Sequence, residues 1–381
     1  MKPLKVAREQ QIAVFGEAGS GKTVLLSSFY GVAQEPVVAD EGLYDIVAND
    51  AAQGLRLHQN YLGMKNTGTT PLQTRFRGNR YVFSIKRRGG PVGKSKKPTA
   101  EELRLIWHDY PGEWFEEDPA TEKEQRLRVE TFRSLLGSDV AVLLVDGQRL
   151  LDHAGEEERY LKALVTNYRT HLSRLQEELM PDGKRLVRFP RIWLFGLSKA
   201  DLLPAIDVTA FRDLLVEKVG HEIVRLQEEL AGFIEEPEAF SLGEDFVLLS
   251  SARFEPGKID VGKQVGVRLI LPIAAMLPFS RHVRWAKALR NGSKVANDLM
   301  RSAGPLLALL VAKFKLPGPL KLVTMALPFI FDTVFEHSRD QVQDAHDTAV
   351  AKHDFLTAVL TGFELELRQA SEDRVLQASV K

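Results

Sequence analysis

Apolar runs along the chain predict the strands of a sheet. Four runs are bounded by turn residues or charged segments and predict strands of a mainly parallel sheet, at residues 12–15, 139–145, 191–197 and 245–249. Residues 80–85 and 103–107 alternate between apolar and polar positions, and a loop rich in Gly, Pro and Lys separates them. These two segments predict an antiparallel pair.

Helical periodicity fills most of the segments between these strands. Residues 120–137, 155–180 and 207–234 predict helices, so strands and helices alternate along the first part of the chain. This alternation predicts an α/β fold, a doubly wound and mostly parallel sheet. We expect this domain to span residues 1–258 and residues 259–381 to form a helical C-terminal region.

The C-terminal region contains two unusually apolar stretches, 304–312 and 316–335. Prolines and charges interrupt them, whereas a membrane-spanning helix needs roughly 20 mainly apolar residues. We expect a helical layer packed on the first domain; the alternative is contact of residues 303–335 with a membrane surface or a partner. Residues 339–381 predict an amphipathic helix, whose expected buried side is Val342, Ala345, Ala349, Phe355, Val359 and Leu360.

Residues 34–80 predict a turn-rich and mobile region. Gly63, Gly68, Pro71 and Gly78 are spaced so that no long element is expected there.

Composition excludes several kinds of site. The 381 residues contain no cysteine, so disulfides, thiolate metal sites and cysteine nucleophiles are excluded. Lys plus Arg and Asp plus Glu both number 51, so no global charge favours nucleic acid. The basic loop between the predicted strands at 80–85 and 103–107 predicts an exposed hairpin tip, or else a docking patch for an acidic partner. Its basic residues are Lys86, Arg87, Arg88, Lys94, Lys96 and Lys97. No apolar export segment follows the charged N-terminus, so we expect a cytoplasmic protein.

The segment from Gly16 to Thr23 fits the phosphate-binding pattern G-x-x-x-x-G-K-[ST] and lies between a predicted strand and a predicted helix. We expect its backbone N–H groups to bind the β-phosphate of a nucleotide at the helix N-terminus. Lys22 is expected to neutralise the β- and γ-phosphates, and the Thr23 hydroxyl to ligate Mg²⁺. The nucleotide-binding residues predicted in this loop are Gly16, Gly19, Ser20, Gly21, Lys22 and Thr23.

A second motif, Asp109-Tyr110-Pro111-Gly112-Glu113-Trp114, follows the strand at 103–107. Asp109 is the predicted carboxylate of the Mg²⁺ site, and the Gly112 N–H is expected to face the γ-phosphate. Glu113 is the candidate for orienting the attacking water, with a surface role in a mobile turn as the alternative.

Two further motifs predict recognition of a guanine base. Ser198, Lys199 and Asp201 resemble the N-K-x-D or T-K-x-D pattern, in which the aspartate accepts two hydrogen bonds that adenine cannot donate. Ser251 and Ala252 resemble the motif that places a backbone N–H at guanine O6. A simple helix cap is the alternative for Ser198 or Asp201.

Together the motifs resemble the small-GTPase-like (TRAFAC) class of P-loop proteins over residues 12–253, and the segment D-Y-P-G-E-W resembles the bacterial YcjX-like family. The resemblance implies a Ras-like fold, guanine-nucleotide binding and a link to stress response at the cell envelope. GTPases of bacterial conflict systems share this layout and remain an alternative. The chain departs from the YcjX-like pattern by its shorter length and by Ser198 at a position where threonine is usual.

The switch residue is not fixed by spacing, because the segment between Lys22 and Asp109 is longer than in a minimal Ras-like domain and predicts an insertion. Thr70 is the first candidate for closing on Mg²⁺ and γ-phosphate, and Thr69 is the second. Arg75 and Arg77 are candidates for stabilising charge, with an exposed strand face as the alternative.

These features predict a cytoplasmic, Mg²⁺-dependent GTPase that converts GTP to GDP and phosphate and acts as a switch in bacterial stress or defence. A protein partner or regulator is expected, with peripheral contact to the inner membrane as a further expectation. Two rivals remain: an ATPase of the same fold, and a scaffold that binds nucleotide without hydrolysing it.

Overall fold

The computed structural model describes residues 8–36, 43–71, 78–88, 103–115, 119–180, 182–255, 258–289, 293–299, 339–351 and 355–379. The strands are β1 Arg8–Phe15, β2 Tyr44–Ala48, β3 Asn79–Arg87, β4 Leu103–Asp109, β5 Val140–Asp146, β6 Ile192–Ser198, β7 Ser241–Leu249, β8 Arg253–Glu255, β9 Lys258–Asp260 and β10 Leu376–Gln377. The helices are α1 Lys22–Val32, α2 Ala51–Thr67, α3 Glu122–Leu135, α4 Gly147–Asp152, α5 Glu157–Leu179, α6 Val208–Gly232, α7 Ile270–Ala288, α8 Arg339–Ala351 and α9 Phe355–Glu372.

Eight strands form one sheet in the order β10-β7-β6-β5-β1-β4-β3-β2. The five central strands, from β7 to β4, are parallel. The predicted antiparallel pair is present as β3 and β4, and β2 extends that edge. The architecture confirms the expected α/β fold with a mostly parallel sheet.

Helices cover both faces of the sheet. One hydrophobic core contains side chains of α1, α7 and α9 together with one face of the strands. The core on the opposite face contains side chains of α3, α5 and α6. The C-terminal helices therefore pack on the same face of the sheet as the phosphate-loop helix. Residues before and after position 258 contribute to this one core.

The segment 34–80 differs from the expectation of a region without long elements, because α2 spans 17 of its residues. The Asp50 carboxylate caps the N-terminus by accepting from two backbone N–H groups, and Gly68 ends the helix with a φ of 63°. Leu57, Tyr61 and Met64 recur at helical spacing and are buried. Burial of this stripe outweighs the cost of a glycine at position 63.

The C-terminal tail also differs in part from its expectation. It forms two helices, α8 and α9, and then β10, which pairs antiparallel with β7 at the edge of the sheet. Five of the six residues expected to be buried are buried, but Ala345 is exposed. Because two separate helices supply these residues, one continuous helical stripe does not describe both.

No helix in the described ranges is long and apolar enough to cross a membrane. The apolar stretches 304–312 and 316–335 lie outside the described residues, as does the whole 303–335 segment proposed for membrane contact.

Helix α7 is joined to the sheet by a buried ion pair. The Arg281 guanidinium donates to both carboxylate oxygens of Asp245 on β7, at 2.7 Å for Nη1 and Oδ2, and both side chains are almost fully buried. The Ser379 N–H donates to the same carboxylate at 2.8 Å. This carboxylate thus fixes a helix and the chain after β10 at one point of the sheet.

The neighbouring His282 is buried and its two ring nitrogens have no hydrogen-bond partner among the described residues. Burial, together with the charges of Arg191 and Arg281, lowers the pKa of the His282 imidazole to about 3. The folded protein therefore holds this side chain neutral throughout the pH range in which a solvated histidine titrates.

We expect this burial to make the protein acid-sensitive. The pKa is lower in the folded state, so from about pH 6.5 downward the unfolded chain binds a proton that the folded chain does not. Stability is therefore lost as the pH falls, by about 2 kcal/mol for this side chain between about pH 7 and about pH 5. Urea unfolding of the wild type and of His282→Leu at several pH values measures the effect.

The variant should lose less stability on acidification than the wild type. His221→Gln is the matched control, since His221 is exposed on α6 and its replacement should leave the pH dependence unchanged. Equal pH dependence in the wild type and His282→Leu would contradict the prediction.

Candidate functional site

A cavity of about 400 Å³ lies at the carboxyl ends of the central parallel strands. This edge is where open α/β sheets bind ligands, because the loops that follow several parallel strands meet there. The predicted site residues that line the cavity are Gly19, Ser20, Gly21, Lys22, Thr23, Thr70, Gly112, Glu113, Ser198, Lys199 and Ser251. The structure thus brings together motifs that lie far apart in the sequence, from Gly19 to Ser251.

The phosphate loop joins β1 to α1 in the conformation that its glycines permit. Gly19 and Gly21 have φ values of 76° and 90°, a region that side-chain-bearing residues rarely adopt. Helix α1 begins at Lys22, so its first N–H groups and its positive dipole end lie at the cavity. The loop therefore has the backbone geometry of an anion site.

The Lys22 ammonium is buried and held by the loop itself. It donates to the Gly16 carbonyl at 2.6 Å and to the Glu17 carbonyl at 3.0 Å, and it lies over the Tyr110 ring at 5.1 Å. These contacts hold the cation beside the loop, where a triphosphate can exchange with the carbonyls as its partner.

The turn after β4 packs directly on the phosphate loop. The Tyr110 hydroxyl accepts from the Gly16 N–H at 2.7 Å, and both groups are buried. A Cβ at Gly112 would lie 2.4 Å from the Ala18 nitrogen, so a side chain cannot be placed there without moving the loop. Gly112 is therefore required for the close approach of these two backbones.

The candidate metal ligands are adjacent. The Thr23 hydroxyl donates to the Asp109 carboxylate at 3.4 Å, and Asp109 is 1% exposed. A hydroxyl and a carboxylate are hard oxygen donors, the class that Mg²⁺ prefers, and Mg²⁺ completes its shell with water and phosphate oxygens. These residues fit a Mg²⁺ ion shared with a bound nucleotide.

Glu113 is half-buried and lies in a 3₁₀ turn over Gly112–Phe115, between the buried residues Gly112 and Trp114. Gly112 and Glu113 line the cavity. Trp114 packs against Phe132 of α3 and beneath the Arg128 guanidinium. Contacts of Tyr110 on one side and of Trp114 on the other hold this turn in place. The position of Glu113 at the cavity is therefore fixed.

The other end of the cavity is built by the ends of β5, β6 and β7. The Asp201 carboxylate accepts from the Ser250 hydroxyl at 2.6 Å and from the Phe254 N–H at 3.2 Å. Ser250, Ser251 and Phe254 line the cavity, and Asp201 lies directly behind Ser250. Ala252 is buried away from the wall, and its carbonyl accepts from Ser250 at 2.7 Å.

Lys199 adopts a left-handed conformation, with a φ of 53°. Its ammonium donates to Asp146 at 2.8 Å, and Asp146 also caps α4 by accepting from the Gln148 N–H. The Ser198 hydroxyl donates to the Val145 carbonyl at 3.2 Å. The end of β6 is therefore fixed to the end of β5 by two side chains.

The two threonine candidates differ in position. Thr70 is exposed and lines the cavity. The Thr69 N–H donates to the Gly63 carbonyl, and its hydroxyl is hydrogen-bonded to Thr67 at the end of α2. The geometry favours Thr70 as the residue that can reach a nucleotide. Arg75 and Arg77 lie outside the described residues.

Several residues of the site escaped sequence analysis because their partners are distant in sequence. Tyr110, Ser250 and Asp146 belong to motifs or strand ends that were identified, but nothing in the pattern indicated their contacts. Arg149 on α4 was also missed: it donates to the Glu17 carboxylate at 2.9 Å and to the Ala18 carbonyl at 3.2 Å. An acidic residue inside a phosphate loop was the only available signal, since such a charge calls for a cation nearby.

His108, the residue before Asp109, has a structural environment. Burial, together with the charge of Arg80, lowers the pKa of its imidazole to about 4. The ring is hydrogen-bonded at 3.4 Å to Gln11 and at 3.5 Å to Ser134. These partners stabilise β4 between β1 and α3.

Comparison with protein families places the chain. The sequence model described as Double-GTPase 2 matches residues 10–229, more than half of the chain. The protein therefore belongs to the Double-GTPase 2 family. This match supports a GTP-binding P-loop protein, and it leaves the narrower resemblance to the YcjX-like family unconfirmed.

Other comparisons are more distant, and no curated protein matches the chain. A chain of the signal recognition particle receptor SRb-GTP/SRX complex from Chaetomium thermophilum is similar at 18% identity, with 65% of this chain and 93% of that chain covered and a TM-score of 0.34. Roco2 RocCORdC of Methanosarcina barkeri bound to GDP is similar at 12% identity, with 87% and 84% covered and a TM-score of 0.24. Similarity this low does not transfer a function.

The pair of Arg149 and Glu17 generates a prediction. Glu17 lies within the phosphate loop and its side chain is 8% exposed. Without a cation beside it, its charge would repel a triphosphate. We expect Arg149→Ala to weaken nucleotide binding roughly tenfold, a modest effect because Arg149 is partly solvated. Titration calorimetry with GTP measures the change.

The double variant Arg149→Ala, Glu17→Gln should recover most of the affinity, because it removes the charge that Arg149 neutralises. Arg159→Ala is the control, since Arg159 forms an exposed ion pair on α5 and should not affect binding. A double variant as weak as Arg149→Ala would show that the arginine acts by another route.

Proposed function

We propose that this protein is a Mg²⁺-dependent GTPase, which hydrolyses GTP to GDP and phosphate and works as a molecular switch. The observation that supports the proposal is one cavity lined at one end by the phosphate loop and at the other by residues that follow β6 and β7, which are the proposed phosphate end and base end. Lys22, Thr23 and Gly112 line the first end, and Ser251 lines the second. The Asp201 carboxylate lies behind Ser250 at the base end.

At the phosphate end, loop N–H groups and the Lys22 ammonium bind the β- and γ-phosphates. A triphosphate replaces the Gly16 and Glu17 carbonyls as the partner of this ammonium. Because these groups are fixed before binding, they stabilise the charge that develops on the phosphate oxygens during transfer without further reorganisation.

Thr23 and Asp109 are the residues that would hold Mg²⁺. Bound there, the ion would supply neutralisation of the charge on the β- and γ-phosphate oxygens. Gly112 packs closely on Ala18 of the phosphate loop, and its N–H is the proposed donor to the γ-phosphate.

At the base end, Asp201 is a pure acceptor that can bind the N1 and N2 donors of guanine. Its contacts with Ser250 and Phe254 fix the carboxylate, and a carboxylate has enough lone pairs to accept further hydrogen bonds. Adenine offers no matching pair of donors, so this end of the cavity selects guanine. The Ser251 N–H is the proposed donor to guanine O6.

Glu113 is the proposed water-orienting residue. A carboxylate can accept from water. Glu113 lines the cavity from the anchored turn, which supports a position beside the γ-phosphate. Thr70 is the proposed switch residue, because it lies on an exposed segment at the cavity and its hydroxyl can close on the γ-phosphate and Mg²⁺.

The setting of this switch is also proposed. A cytoplasmic role in bacterial stress or defence fits a regulated GTPase, with a protein partner that reads the nucleotide state and with peripheral contact to the inner membrane. The ATPase and the non-hydrolysing scaffold are the rivals: the first requires equal competition by ATP, and the second requires binding without phosphate release.

Base selectivity tests the proposal directly. The change Asp201→Asn replaces a pure acceptor with a group that also donates, which no longer fits guanine N1 and N2 but fits the extra carbonyl of xanthine. We expect GTP to bind at least tenfold more weakly to the variant and xanthosine triphosphate to bind more tightly. Equilibrium titration with the three triphosphates measures the order of affinities.

The wild type should bind GTP in preference to ATP, and Lys22→Ala should bind neither well while remaining folded. Equal competition by ATP and GTP in the wild type would establish the ATPase rival instead. Thermal unfolding of each variant separates loss of binding from loss of fold.

The role of Glu113 is tested by turnover. Glu113→Ala should lower the rate of phosphate release by about tenfold to a hundredfold, the usual scale for a residue that positions a proton acceptor, and should leave GTP affinity nearly unchanged. Single-turnover phosphate release and GTP titration separate the two. An unchanged rate of phosphate release in Glu113→Ala would show that another group orients the water. Absence of phosphate release from the wild type would support the scaffold that binds nucleotide without hydrolysing it.

A further inference from the structure

A second cavity, of about 500 Å³, lies between the far end of α1, strand β2 and the C-terminal helices. Its walls are largely apolar and include Phe29 of α1, Leu271 of α7 and Val359 and Phe363 of α9. The volume is within the range of small-molecule sites, and such sites combine apolar walls with a few placed polar groups.

Two of the polar groups that line this cavity are donors without a partner. Arg88 donates through Nε to Asp45 at 3.0 Å and through Nη2 to the Tyr44 carbonyl at 3.2 Å. Its Nη1 is buried and has no hydrogen-bond partner among the described residues, and the same is true of Gln264 Nε2. A buried donor left unpaired costs about 1–3 kcal/mol, so two of them at one cavity call for a common acceptor.

The charges at the cavity define which acceptor fits. Arg268 and Glu366 lie at the rim of the cavity. Burial raises the pKa of the Glu366 carboxyl to about 7, although the charge of Arg268 opposes the rise. Asp45 is paired with Arg88. The charges at the cavity therefore do not disfavour an anion, and the unpaired donors, both on half-buried residues, decide the chemistry. A group that only accepts, such as a carboxylate, fits; an ammonium group, which only donates, does not.

We propose that this cavity is a binding site for a small amphiphile, an alkyl or aryl chain that ends in a carboxylate. Arg88 Nη1 and Gln264 Nε2 have almost no accessible surface, so on binding both side chains turn these donors toward the cavity, where the carboxylate accepts from them. The chain packs against Phe29, Val359 and Phe363. The site is separate from the nucleotide cavity, but α1 contributes to both, since it begins at Lys22 and reaches the second cavity at Phe29 and Val32.

Dodecanoate is the probe that tests the proposal, with dodecyltrimethylammonium as its charge-reversed counterpart. Both are titrated by calorimetry into the full chain, below the concentration at which they form micelles. We expect dodecanoate to bind saturably with one site per chain and the ammonium analogue to bind at least tenfold more weakly. Equal binding of the two, or no saturable binding of dodecanoate, would overturn the proposal.

Three variants locate the site. Arg88→Gln should weaken dodecanoate binding about tenfold or more, because it removes a charged donor. Asp45→Asn is the matched control: it breaks the same ion pair but keeps Nη1, and it should bind nearly as the wild type does. Gly362→Leu should abolish binding by filling the cavity, since a Cβ at Gly362 would meet only His346 within 4 Å.

GTP affinity of each variant reports whether the fold is intact, because none of these residues lines the nucleotide cavity. With GTP binding retained, wild-type dodecanoate affinity in Gly362→Leu would place the ligand elsewhere and overturn the assignment. Equal losses in Arg88→Gln and Asp45→Asn would show that the ion pair, rather than the free donor, accounts for the effect, and would overturn it as well.

Discussion

The contact between the phosphate loop and the turn after β4 is the constraint on which the rest of the site depends. Strand β1 lies between β4 and β5, so the loops that follow these strands must converge at one edge of the sheet. The two loops can touch because Gly112 has no side chain, and the Tyr110 hydroxyl accepts a hydrogen bond from the backbone of Gly16. One motif thereby fixes the shape of the other, and Thr23 and Asp109 are brought within 3.4 Å.

The same sheet ties the C-terminal region to the nucleotide site. Helices α7 and α9 share one hydrophobic core with α1, and the buried pair of Arg281 and Asp245 joins α7 to β7. Breaking such a pair leaves an uncompensated buried charge, so this contact specifies where α7 and the chain at Ser379 must lie. A change at the C-terminal helices can therefore reach α1 through packing, without a separate hinge.

Sequence reasoning succeeded for elements that one short segment encodes. The strand, turn and helix around the phosphate loop and the apolar runs of the central strands needed no knowledge of distant residues, while the roles of Lys22, Thr23 and Asp109 stay predictions. It failed where burial depends on tertiary context. Helix α2 was not expected because its glycines suggested turns, yet packing of Leu57 and Met64 decides its state. The contacts of Ser250 with Asp201 and of Arg149 with Glu17 join residues 49 and 132 positions apart, which no local pattern encodes.

The base end of the cavity shows why Ser198 does not disturb the motif around it. A left-handed Lys199 costs about 1 kcal/mol or more, so this conformation persists only where neighbours over-determine it. Asp146 does so from β5 by accepting from the Lys199 ammonium, and the Ser198 hydroxyl adds a bond to the Val145 carbonyl. The turn that carries Asp201 is therefore held by contacts between β5 and β6. A serine hydroxyl is sufficient at its first position because that position anchors the strands, while Asp201, held by Ser250, is the residue proposed to select the base.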